Sequence, residues 1–155
     1  MATFKDYLEN NSLLILHGAL GTEMEALGYD ISGKLWSAKY LLEKSEVIQE
    51  LHETYVAAGA DLITTSSYQA TLPGLVEAGL TEKAAEQIIA LTVRLAKAAR
   101  DKVWGALDET EKAKRPYPLI SGDVGPYAAY LANGSEYSGD YGQITIKELK
   151  DFHRP

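Results

Sequence analysis

The sequence predicts an α/β protein with parallel strands, from three observations. Three short apolar runs each give way to small, turn-forming residues, as strands buried on both faces do. Helical periodicity fills the intervals, and strands alternating with helices pair in parallel through right-handed crossovers. The extra length lies after each strand, in 17–44, 66–80 and 121–144. Those are the segments that line the ligand face of a parallel α/β protein.

The first strand is expected over Leu13-Leu14-Ile15-Leu16, ending at His17-Gly18-Ala19. A helix follows from an N-cap at Ser45, with Val47, Leu51, Tyr55 and Ala58 on one face and Gly59 as its stop. The second strand is Asp61 to Thr65, ending in Ser66-Ser67-Tyr68. A second helix starts at the cap Thr81, its apolar stripe formed by Ala84, Ile88, Leu91, Leu95 and Ala98. The polar stretch 105–117 reads as a surface loop. The third strand is Pro118-Leu119-Ile120, and a third helix begins at Thr145, with Glu148 at capping-box spacing. Three parallel strands cannot close a barrel, and eight such units need roughly 300 residues. The expectation is therefore a fragment, a truncated product or a small assembly.

Composition narrows the function. Hydrophobic residues make up 46% and charged residues 24%, ordinary for a globular domain. A net charge of -7 and a pI of about 5.0 disfavour nucleic acid and anionic membranes as partners. With no cysteine, neither a disulfide nor a thiolate metal site can form from this chain. Met1 to Asn11 lacks the apolar core of a signal peptide, so a cytoplasmic protein is expected.

At the first strand end, Gly18 and Gly21 permit close backbone approach, and Thr22 is placed to cap a short helix whose first amides face an anionic group. The plain alternative is a strand–helix turn. At the second, Ser67 and Gln69 are expected to line a pocket, against the plain reading of β-branched strand residues and a serine loop. Four tyrosines, Tyr127, Tyr130, Tyr137 and Tyr141, either offer faces to a cation or pack the loop. His52 and His153 read as structural or solvated. There is no phosphate-binding loop motif.

The strand ends also carry a resemblance. LILHGALGTEMEALG, the LWSA at Leu35–Ala38, ITTSSYQAT at 63–71 and GDVGPYAAYLANGSEYSGDY at 122–141 are similar, in order, to motifs of the homocysteine S-methyltransferase family. They look closest to its S-methylmethionine branch, and FHRP at 152–155 resembles the next helix start. The resemblance covers the N-terminal half of a family member and implies a partial (β/α)8 TIM barrel of about three βα units. Residues 1–155 would be the N-terminal portion of a single homocysteine-binding barrel domain.

The implied reaction moves a methyl group from S-methylmethionine or S-adenosylmethionine to the homocysteine thiolate, giving methionine. In the complete family enzyme zinc holds that thiolate through cysteines on later segments. This chain has none of them, so no metal is expected on it and no catalytic residue lies within it. What carries over is substrate binding: His17, Gly18, Ala19, Thr22, Ser67, Gln69 and Asp123. Two positions depart from the family, His17 where it has an acidic residue and Asp123 where it has serine. The chain alone is expected to be inactive. The alternative is a non-catalytic half-barrel that assembles with itself, as a homo-oligomer, or with a complementing C-terminal half.

Overall fold

The computed structural model describes residues 4–10 and 13–154. Met1 and Asn11, which bound the stretch read above for a signal peptide, lie outside the described residues, as does Pro155. The chain is α/β, mostly helical, around a small parallel sheet. Helix α1 (Phe4–Asn10) precedes the first apolar run. Helix α2 (Leu20–Ala26) follows it, then a 3-10 turn (Trp36–Lys39) leading into α3 (Tyr40–Glu43) and α4 (Ser45–Ala58). Strand β1 (Leu62–Thr64), α5 (Leu72–Glu77), α6 (Glu82–Ala106) and α7 (Glu109–Lys112) come next. Strand β2 (Leu119–Ser121), α8 (Tyr127–Leu131), α9 (Ser135–Ser138) and α10 (Ile146–Phe152) complete the order.

Strands β1 and β2 pair in parallel, Leu62 with Leu119, Ile63 with Ile120 and Thr64 with Ser121. The first apolar run joins as one parallel bridge, Leu16 to Leu62, with His17 N–H donating to Leu62 O at 3.1 Å and Leu62 N–H to Ile15 O at 3.1 Å. The three segments therefore lie side by side in chain order. The expectation of three strands buried on both faces is corrected in part. Ile63 is buried, but Leu13 is 76% exposed, Ile15 58% and Leu16 55%. The run has a neighbour on its β1 side, and among the described residues no strand pairs with its other edge.

Beneath the sheet, Val56 of α4, Ala96 of α6, Ala60 and Ile63 form one cluster. A larger one gathers Met24, Ile48, Leu51, Leu75, Ala85 and Leu95. Helix α4 ends as expected: Gly59 takes φ 106, left-handed backbone that glycine adopts without strain. Its start differs by one residue, since Lys44 holds the cap position and Ser45 is the first helical residue. Thr81 caps α6, its hydroxyl accepting from Ala84 N–H at 3.2 Å. The buried stripe of α6 is rotated from the one read in sequence. Ala85, Thr92, Ala96 and Ala99 are buried with Leu95, whereas Ala98 is exposed. Ala96 clusters with Val56 of α4, and a count of large apolar residues overlooks such small ones.

The expected loop at 105–117 is also corrected. Helix α6 runs on to Ala106, and α7 opens with a capping box between Asp108 and Glu111. Its Lys and Glu residues were read as loop polarity but are good helix formers. Arg115, from the same stretch, donates to Val56 O at 2.9 Å and Ala60 O at 3.3 Å, satisfying carbonyls at the C-terminal end of α4.

Candidate functional site

A cleft of about 530 Å³ opens at the C-terminal ends of the three parallel segments. His17, Gly18 and Ala19 line it from the first, Thr64, Thr65, Ser66, Tyr68 and Gln69 from the second, and Asp123 from the third. Trp36, Ser37, Glu136 and Tyr137 form further wall, and His52 of α4 lies below. Asp123 and Glu136 are its acidic residues, and no Lys or Arg lines it. Two wider grooves lie elsewhere, about 770 Å³ beside Tyr29–Lys34 and about 720 Å³ beside Tyr127, Tyr130 and Tyr141. Neither touches a strand end.

His17 is fixed by its neighbours. Its Nε2 lies 2.6 Å from Thr64 Oγ1, and its ring packs 5.2 Å from that of Tyr55. Burial pushes the imidazole below its ordinary pKa, against upward pulls from a hydrogen bond with the Gly18 backbone and from the Asp123 charge, so it stands neutral at neutral pH. His52 is fully buried, 6.1 Å from the His17 ring, with neither ring nitrogen bonded. Burial, and then His17, bring its pKa down to about 4. Of the two sequence readings for His52, structural and solvated, the structure supports the buried one. His153 is exposed.

Two glycines have steric reasons. A Cβ on Gly18 would sit 2.9 Å from Tyr55 Cε1, and the Tyr55 hydroxyl donates to Ala19 O at 3.1 Å. A Cβ on Gly125 would overlap the Tyr68 backbone carbonyl, so only glycine lets the loops after β1 and β2 meet.

Those loops are also clamped by hydrogen bonds. Asp123 N–H donates to Thr65 Oγ1 at 2.9 Å, Ser67 Oγ donates to Asp123 O at 2.7 Å, and the two hydroxyl oxygens lie 2.7 Å apart. Ser67 therefore does not line the cleft, contrary to expectation: its hydroxyl is consumed in holding Asp123. Thr22 is also displaced from its expected role. It is the third residue of α2, Ala19 holds the cap position without a side-chain bond, and Thr22 does not line the cleft. Burial raises the Asp123 carboxyl above its ordinary pKa, and the His17 charge and the Val124 N–H oppose that rise.

The four tyrosines part company. Tyr137 lines the cleft, while Tyr127 and Tyr130 pack around Phe152 at 5.1 and 5.3 Å between ring centroids. Among the cleft positions missed by sequence reading are Trp36, Ser37 and Glu136. Trp36 and Glu136 stood inside quoted motifs, but nothing local distinguished them from turn residues.

The family model described as homocysteine S-methyltransferase matches residues 14–155. The chain belongs to the homocysteine S-methyltransferase family. It is 44% identical over 155 residues to the homocysteine S-methyltransferase YbgG of Bacillus subtilis (strain 168), covering 100% of this chain and 48% of that one. It is 45% identical over 141 residues to homocysteine S-methyltransferase 1 of Zea mays, covering 90% and 44%. The crystal structure of the metallated homocysteine methyltransferase MmuM from Escherichia coli superposes with a TM-score of 0.79 at 43% identity, over 96% of this chain and 50% of that one. The chain spans about half the length of the curated relatives it matches. The family is one of methyltransferases, and the cleft is built wholly from its matched residues.

The residues present do not fit the family's implied metal. The chain has no cysteine, and among the described residues no three His, Asp or Glu side chains gather as a metal site. No helix of the described residues is long and apolar enough to cross a membrane.

Proposed function

We propose that this cleft is part of the homocysteine pocket of a cytoplasmic S-methyltransferase, and that residues 1–155 are the N-terminal portion of a single homocysteine-binding (β/α)8 barrel. The observation that carries this reading is the convergence of three consecutive parallel strand ends on one cleft, in a chain of this family. In the reaction, the homocysteine sulfur attacks the methyl carbon of a sulfonium donor, S-methylmethionine or S-adenosylmethionine. A new S–CH3 bond forms, and the donor's S–CH3 bond breaks with its electron pair returning to sulfur. The donor leaves as a neutral thioether, so no acid is required. A cleft with two carboxylates, aromatic walls and no Lys or Arg suits cationic substrates.

Gly18 and Ala19 give close backbone approach, Gln69 supplies an amide on the cleft wall, and Thr65 and Ser67 hold Asp123 in place. In the family, zinc would keep the homocysteine sulfur deprotonated. No group of this chain takes that role, which leaves the chain a substrate-binding part with no turnover of its own.

Methionine formation from L-homocysteine and S-methylmethionine tests this. The chain with zinc alone should give almost none. Adding the separately produced C-terminal half of the Bacillus subtilis relative should raise the yield. Robust turnover by the chain alone would overturn its incompleteness, and failure to retain L-homocysteine in equilibrium dialysis would overturn the pocket assignment.

A further inference from the structure

We infer that the Asp123 carboxylate receives the α-ammonium group of the amino-acid substrate, because it is the carboxylate of the cleft that is held in place and paired with no other side chain by a hydrogen bond. The inference rests on the homocysteine reading and names the group within it that selects an amino acid over any other thiol.

The cleft has two carboxylates. Glu136 is already occupied, accepting from the Tyr68 hydroxyl at 3.2 Å. Asp123 pairs with no Lys or Arg among the described residues, and no hydroxyl donates to its side chain. Its backbone is nonetheless locked on both sides, N–H to Thr65 and C=O from Ser67. Its carboxylate takes the Val124 N–H and no cationic side chain, the arrangement expected where a ligand, and not the protein, supplies the counter-charge.

The other polar groups of the cleft cannot supply a negative charge. His17 is engaged through Nε2 with Thr64 and can at best accept one hydrogen bond. A separate observation supports a polar ligand in the cleft. His52 is fully buried beneath it with both ring nitrogens unpartnered, and Ser66 Oγ is buried and unpartnered as well. Buried polar atoms are ordinarily satisfied, so unpaired ones around a single cleft mark where a ligand or its water completes the bonding.

The test compares L-homocysteine with γ-mercaptobutanoate, which keeps the thiol and carboxylate and lacks only the amino group. Isothermal titration of the full chain should show L-homocysteine binding more tightly, by about 10- to 100-fold. Asp123→Asn should abolish that preference while γ-mercaptobutanoate binds as before, which also shows that the variant is folded. In the unaltered chain, the Asp123 carboxyl carbon resonance should shift on adding L-homocysteine and stay in place with γ-mercaptobutanoate. An Asp123→Asn chain that keeps the preference, a preference lost instead in Glu136→Gln, or a carboxyl resonance blind to the amino group would each overturn the inference with the pocket assignment intact. If neither thiol binds, the inference and the pocket assignment fall together.

Discussion

Gly18 and Gly125 are both sterically required, but by different neighbours, and the difference is measurable. Beside Gly18 lies the far end of the Tyr55 side chain, which can swing at the cost of its bond to Ala19 O. Beside Gly125 lies backbone, which cannot move without separating the two loops. Urea unfolding should therefore show Gly125→Ala destabilised by about 3 kcal/mol and Gly18→Ala by nearer 1 kcal/mol. Equal costs would contradict this account of the contacts. His52 gives a pH signature. Its pKa is about 4 in the fold and 6.5 as a free side chain, so the unfolded chain takes up the proton first as pH falls. Stability present above 6.5 should be lost progressively down to about 4, by up to roughly 3 kcal/mol. His52→Phe should flatten that part of the profile; an unchanged slope would show that His52 is not buried neutral. Gly18, Ala19, Gln69 and Asp123 could be singled out in sequence because motif and strand end coincide there. Ser67 was assigned the wrong task because a serine in a loop does not show which carbonyl its hydroxyl will find.

Helices were legible where capping chemistry marks them. Thr81 and Thr145 hold the N-cap positions expected, and Gly59 stops α4. Thr81→Ala should cost about 1 kcal/mol by loss of the bond to Ala84 N–H, read from the shift in thermal midpoint. A neutral substitution would mean that α6 is held by packing alone. Helices without such signals, α8 and α9 among them, went unread, because few-residue helices form from tertiary contact more than propensity; α5 went unread although Thr71 caps it. The face of α6 was misjudged for a related reason. Periodicity weighs large apolar side chains, whereas the buried face of α6 is made largely of Ala85, Thr92, Ala96 and Ala99.

At the scale of the whole molecule, alternation of strands and helices was legible, and the parallel order follows it. Burial was not. Leu13, Ile15 and Leu16 carry the composition of a buried strand yet face outward, because composition reports a strand's preferred surroundings and not whether they are present. That exposed run supports assembly, with a second copy or with a complementing half. Sedimentation over a range of concentrations should show self-association that Leu13→Lys with Ile15→Lys weakens; a strict monomer throughout would count against assembly with itself. Most direct for the pocket is an amide-resolved NMR titration of the chain with L-homocysteine. Shifts should concentrate at 16–21, 64–69 and 122–124, where the three strand ends meet. No shift at all, or shifts confined to the groove beside Tyr29–Lys34, would contradict the assignment of this cleft as the amino-acid site.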